Sequence, residues 1–193
     1  QPNIGNKEIL EVLDTLKSGW LGTGPKVHKF EKLICKYKKI NNAIAVNSCT
    51  AALHLSLLAI GIKKGDEIIL PSMTFTATAN AIIHAGGVPV FADCNIETLN
   101  IDIKDIEKKI TKKTKAIIPV HFAGRPCEMD QIMLIAKKFD LKVVEDCAHA
   151  IETKYKDKFA GTFGDIGCLS FYVTKNVVTG EGGALITNNV KYA

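Results

Sequence analysis

Lys175 lies in Ser170-Phe-Tyr-Val-Thr-Lys-Asn-Val-Val-Thr-Gly-Glu-Gly-Gly183, between apolar residues (Cys168, Leu169, Phe171, Val173) and a hydroxyl- and glycine-rich loop leading to Ala184-Leu185-Ile186. An amine carried by a buried strand into a glycine-lined cleft loses its proton more readily than one on a solvated face. A neutral amine is what condensation with a carbonyl needs. Most lysines are solvated surface charges, so the reading depends on what accompanies this one. Asp146 stands in Val144-Glu-Asp-Cys-Ala-His149, where the apolar run of Leu141, Val143 and Val144 gives way to acidic and then small residues. A buried parallel strand that ends at a ligand site looks like this, and so does a strand end whose aspartate caps a turn. Asn47-Ser-Cys-Thr-Ala-Ala-Leu53 follows the strand-like Ala43–Val46 and opens an apolar stretch to Ile60. Ser48, Cys49 and Thr50 at such a turn would offer backbone N–H groups to a phosphate; an ordinary serine N-cap reads the same way. Phe75 closes Pro71-Ser-Met-Thr-Phe75, just past the strand-like Ile68-Ile-Leu70, where its ring would stack on a flat ligand.

Each of these segments is weak alone; together they fit one cofactor. Pyridoxal phosphate (PLP) needs a helix N-terminus for its phosphate, a surface for its ring, an acid for its pyridine nitrogen and an amine for its aldehyde. Ser48, Cys49 and Thr50, then Phe75, Asp146 and Lys175 supply those four in chain order.

The elements that must position them alternate. Ile9, Val12, Leu13 and Leu16 fall at helical spacing, as do Val27, Phe30, Ile34 and Tyr37. Short apolar strands are expected at 43–46, 67–70, 88–92, 115–120, 141–145, 166–171 and 184–187, with helical stretches at 76–85, 102–110 and 128–139. Such alternation predicts an α/β domain, a mostly parallel sheet with helices on both faces.

Composition narrows the class further. The formal charge is +5, but every basic residue except Arg125 is a lysine. The lysine runs 36–39 and 108–113 read as solvated helix faces rather than a nucleic-acid surface, which favours arginine and interleaved aromatics. Six widely spaced cysteines without a C-x-x-C pair predict neither a zinc site nor a disulfide framework, so no metal is expected. No apolar run approaches the length of a membrane span. A reducing cytoplasmic setting suits this cysteine usage.

The chain also closely resembles the DegT/DnrJ/StrS family of PLP-dependent nucleotide-sugar aminotransferases, of fold type I. The resemblance runs from Ser18-Gly-Trp-Leu-Gly-Thr-Gly-Pro25 through the three motifs above and Pro119-Val-His-Phe-Ala-Gly124 to Ser170–Asn176 and Gly180-Glu-Gly-Gly183. Cys49 is a mild departure, since the family favours a small Gly or Ala there. The resemblance implies the large domain of an aspartate aminotransferase-like fold, with one antiparallel strand in a seven-stranded sheet. It implies that Lys175 and Asp146 are catalytic and that Ser170 joins Ser48, Cys49 and Thr50 at the phosphate. Phe75 and Ala148 would flank the ring, and His149 would bond its hydroxyl or orient Asp146. Gly19, Trp20, Leu21, Gly22, Thr23 and Tyr172 would meet the sugar substrate, while His121 is left as structural. The implied reaction moves an amino group from an amino acid, L-glutamate first, to a keto group of a nucleotide-linked deoxysugar, for polysaccharides, glycans or antibiotics. The implied assembly is a homodimer. Family members run to roughly double this length, so residues 1–193 are expected to be a partial large domain, without the rest of it or the small domain. An inactive or regulatory PLP-binding fragment is one alternative. A PLP-dependent sugar dehydratase is another, although family dehydratases carry histidine in place of Lys175.

Overall fold

The computed structural model describes residues 2–193. In chain order the elements are α1 (Asn6–Ser18), α2 (Pro25–Lys38), β1 (Asn42–Val46), α3 (Cys49–Ala59), β2 (Glu67–Pro71), α4 (Thr76–His84) and β3 (Val88–Ala92). There follow α5 (Ile103–Lys109), β4 (Thr114–Ile117), α6 (Met129–Phe139), β5 (Lys142–Cys147), β6 (Lys154–Tyr155), β7 (Lys158–Phe159), β8 (Ile166–Ser170) and β9 (Gly183–Thr187). Seven strands form one sheet in the order β1-β9-β8-β5-β4-β2-β3. Only β9 runs against its neighbours; the β2–β3, β2–β4, β4–β5 and β5–β8 pairs are parallel. The expected α/β class and the single antiparallel strand are both present. Among the described residues no helix is long and apolar enough to cross a membrane.

The strands read as continuous apolar runs because both of their faces are covered. Ile68, Leu70, Ala116, Ile118, Val144 and Cys168 face α3 and α4, packing on Leu53, Leu57, Ala81 and Ile82. Their alternates Ile69, Ile117 and Val143 pack on Ile106 of α5 and on Met129, Ile132 and Ala136 of α6. A third cluster sets Ile34 of α2 against Leu169, Phe171, Ala184 and Ile186. Helix α1 differs: it buries no residue, and Leu10, Leu13 and Leu16 stand exposed.

Two local expectations change. The strand expected over 115–120 is shorter, ending at Ile117; Pro119 has no N–H to continue a ladder, and Val120 rejoins the sheet only as a single bridge to Asp146. The hairpin of β6 and β7 was not foreseen. Its turn residues Lys156 and Asp157 both have positive φ (45° and 64°), a conformation usually announced by Asn-Gly or Asp-Gly.

Lys38, at the end of α2, is 1% exposed. Its Nζ donates to the carbonyls of Ala160 (2.8 Å) and Ala150 (3.3 Å). Burial pulls its pKa below the ordinary 10.5, an effect only partly offset by Cys147, Glu145 and Glu152. Because the unfolded lysine holds its proton to higher pH than the folded one, stability must rise with pH between the folded and unfolded pKa values. Chemical denaturation of wild type and Lys38→Met from pH 7 to pH 10 should show the wild type gaining on the variant as pH rises. A difference independent of pH would show that Lys38 titrates alike in both states.

Candidate functional site

Because β1, β2, β4, β5 and β8 all point the same way, their carboxyl ends and the segments after them share one edge, where open α/β sheets bind ligands. A cavity of about 580 Å³ opens there. Its walls include Ser48, Cys49, Thr50, Phe75, Asp146, Ala148, His149, Ser170, Tyr172 and Lys175, drawn from four separate segments.

Helix α3 supplies the first wall. Ser48 is its N-cap, and the Ser48 hydroxyl accepts the N–H of Ala51 at 3.1 Å. Ala52 N–H is taken by Ser48 O. Of the first-turn donors that a helix leaves without intrahelical partners, those of Cys49 and Thr50 remain, at the positive end of the helix. The serine is thus the cap that its sequence position allowed, and the phosphate-type donors are the peptide groups behind it. Gly183, opening β9, seats directly on this turn: a Cβ there would stand 2.3 Å from Ser48 C and 2.5 Å from Cys49 N. No other residue fits without displacing the helix start. Burial, then the charge of Asp146, pushes the Cys49 thiol well up, so it lines the cavity as a neutral group.

Asp146 supplies the opposite wall and is 4% exposed. Its N–H donates to Pro119 O (2.9 Å), and its carbonyl accepts the N–H of His121 (3.1 Å). One carboxylate oxygen accepts Ala148 N–H at 3.1 Å, the other the Thr78 hydroxyl at 2.8 Å. Beneath it, the fully buried Glu145 accepts the N–H groups of Gly161, Phe163 and Gly164, each at 2.7 Å, and meets His121 Nε2 at 3.1 Å. His121 Nδ1 accepts the N–H of Cys127, which assigns the ring proton to Nε2. Burial alone would raise the Glu145 pKa, but the bonds from His121, Gly164 and Gly161 outweigh it and hold it below the ordinary value. The His121–Glu145 pair therefore pins the backbone on either side of Asp146, in keeping with a structural role for His121.

Lys175 does not ride on a strand. β8 stops at Ser170, and Lys175 follows in a turn closed by its own N–H to Tyr172 O (2.9 Å). The loop is pinched where Phe171 N–H reaches Gly182 O and Thr179 N–H reaches Phe171 O, both at 2.9 Å. Lys175 is half-buried at the cavity wall rather than enclosed by apolar neighbours, so the cleft and not a strand presents its amine. Burial, then the charge of Lys175, lowers the pKa of His149 against a smaller opposing pull from Asp146. His149 is accordingly uncharged at neutral pH and offers one donor and one acceptor.

Of the sequence-predicted residues, all those assigned to the cofactor meet at this cavity, and so does Tyr172. Phe75 reaches it with 79% of its surface exposed, an open aromatic face. Gly19, Trp20, Leu21, Gly22 and Thr23 do not line it; they form the exposed connection between α1 and α2. Thr74 and Thr78 line it too and were missed. The donor set fits PLP: paired peptide N–H groups and the Ser170 hydroxyl at one end, a carboxylate at the other, and an amine between open walls.

Two proteins and a solved structure are similar to this chain. The spore coat polysaccharide biosynthesis protein SpsC of Bacillus subtilis is 52% identical over 192 residues, 100% of this chain and 49% of SpsC. GDP-perosamine synthase of Escherichia coli O157:H7 is 46% identical over 190 residues, 98% of this chain and 52% of the synthase. The structure of Spr1654 from Streptococcus pneumoniae, solved in its PLP-form, superposes with a TM-score of 0.93 at 37% identity, covering 100% of this chain and 53% of that one. The chain thus spans about half the length of the relatives it matches. With a family pattern matched from residue 2 to residue 193 and the fold in agreement, the chain belongs to the DegT/DnrJ/EryC1/StrS aminotransferase family.

Proposed function

We propose that residues 1–193 are the PLP-binding part of a large domain whose whole protein transfers an amino group from an amino acid, L-glutamate first, to a keto group of a nucleotide-linked deoxysugar. The product would serve polysaccharide, glycan or antibiotic aminosugar synthesis. The observation that carries the reading is the meeting of Asp146, Lys175, Phe75 and the α3 N-terminus at one cavity. When bound, PLP supplies an aldehyde and an electron-withdrawing ring. The residues supply everything else. The N–H groups of Cys49 and Thr50, with Ser170, would hold the phosphate; Phe75 would cover the ring and Ala148 would leave room beside it. Asp146 would pair with the ring nitrogen, and neutral His149 would bond the ring hydroxyl. Lys175 Nζ would anchor the cofactor and would carry a proton to and from the reacting carbon of the substrate. Tyr172, and the 19–23 loop when the rest of the protein is in place, would face the sugar.

Lys175 favours amino transfer over the dehydratase reading. The cavity is open on one side, and α1 is uncovered. Both suit a homodimer with further covering domain, including a small domain, contributed by sequence of the kind the relatives carry beyond this length.

The protein at the relatives' length should convert nucleotide-linked 3-keto or 4-keto sugars to amino sugars with L-glutamate consumed stoichiometrically, read by mass spectrometry. Residues 1–193 alone should be at least ~100-fold slower, because positioning of reactants supplies several kcal/mol of the barrier reduction. PLP binding without amination of any such sugar would sink the substrate assignment. Equal rates from the two proteins would sink the division of labour.

A further inference from the structure

We infer that Thr78, backed by Thr74, is a positioning residue for Asp146, and through it for the ring nitrogen of the cofactor. The inference rests on the PLP reading above. Thr78 is fully buried in the first turn of α4, and its hydroxyl donates to an Asp146 carboxylate oxygen at 2.8 Å. A threonine hydroxyl has one proton, so with that proton spent on Asp146, the 2.7 Å contact between Thr74 and Thr78 runs one way. Thr74 donates and Thr78 accepts. The chain Thr74→Thr78→Asp146 therefore has a fixed polarity. The other carboxylate oxygen is held by Ala148 N–H. Each oxygen thus has one protein donor on it and further lone pairs free for a ligand in the cavity.

Two consequences follow from that geometry. The carboxylate cannot swing, because donors from α4 and from the residue two places along grip opposite oxygens. Thr74 also directly precedes Phe75, so the aromatic wall and the acid wall are joined by two O–H···O links through the start of α4. The single proton of each hydroxyl is committed, that of Thr74 to Thr78 and that of Thr78 to Asp146, so neither is free for the substrate. Their service is orientation rather than proton transfer to substrate.

The test uses the protein at the relatives' length, reconstituted with PLP. The wild type should show a visible absorbance band that Lys175→Ala removes; lack of any such band would fail the PLP reading itself, separately from this inference. Thr78→Val keeps the shape and removes the donor. It should weaken PLP binding about tenfold, the scale of one hydrogen bond to a charged group, and shift the pH at which the bound band changes. Thr78→Ser should restore both toward wild type, and Thr74→Val should move both in the same direction by less. In an Asp146→Asn background, Thr78→Val should add little, since the two act as one unit. Thermal melts without PLP separate a folding defect from lost orientation; should Thr78→Val fail to fold, the Thr74→Val shift and its loss in the Asp146→Asn background decide the matter. Wild-type binding and pH behaviour in Thr78→Val and Thr74→Val, or full additivity with Asp146→Asn, would overturn the inference.

Discussion

Lys175→Ala should abolish covalent capture of PLP and lower amino transfer by at least ~1,000-fold in the protein at the relatives' length. One side chain is asked for two services. As the proposed anchor, its amine, at the cavity wall, would hold the aldehyde end of the cofactor; as the proposed proton carrier, it would supply general acid–base catalysis worth about 10²–10⁴-fold by itself. The substitution costs little in stability, because Lys175 is only half-buried in a turn. Borohydride reduction followed by peptide mapping gives a direct reading. Nearly every basic residue of the chain is a lysine, so the label has many wrong places to go. A label on any other lysine, or undiminished turnover in the variant, would remove Lys175 from the site.

Asp146→Asn should leave the protein folded and still able to take up PLP, yet lower kcat by about 100- to 1,000-fold. The amide has the carboxylate's shape, so β5 and its pairing with β8 are undisturbed. Its chemistry fails twice. An amide has no charge with which to hold a protonated ring nitrogen, and removing one member of a buried, hydrogen-bonded charge pair typically costs about 2–5 kcal/mol. Its NH₂ group must also face either the Thr78 hydroxyl or the Ala148 N–H, both of which donate to the native carboxylate. Facing Ala148 the amide sets donor against donor; facing Thr78 it makes that hydroxyl accept and turn its proton toward Thr74, reversing the native chain. Steady-state kinetics with the cofactor saturated isolates the effect, and a wild-type kcat in that variant would rule the role out.

How much of this was legible follows from where each residue stands. Buried strands announce themselves, since Ile68–Leu70, Val143–Val144 and Ala184–Ile186 have to be apolar on both faces. The residues that end them, Asp146 and the segment to Lys175, then stand out against that background. Thr74 and Thr78 did not, because a threonine entering a helix reads as an ordinary cap, and only the approach of α4 to β5 brings its hydroxyl to Asp146. Glu145 could have been found: a carboxylate inside an apolar run must have its donors close by, and Gly161-Thr-Phe-Gly164 is a compact source of backbone N–H. Its partner His121 carried no comparable mark. The connection at 19–23 marks a different limit, since a loop's local turn chemistry does not say which cavity it will face.

The antiparallel insertion of β9 also orders events during synthesis. β1 has β9 as its sheet neighbour, and Asn42 meets Thr187 across 145 residues of sequence. At ribosomal rates of roughly 5–20 residues per second, that gap corresponds to about 7–30 s. Throughout it, β1 and the start of α3 lack the glycine that seats them. Helix α3 can form early from local contacts, but its N-terminal turn settles only when Gly183 arrives, and such long-range pairing is slow. The nascent chain therefore passes through a period with β1 unpaired, an aggregation hazard of the kind bare strand edges present. The N-terminal turn of α3, with the Cys49 and Thr50 N–H groups proposed above to hold a phosphate, therefore settles only after residue 183 has been made.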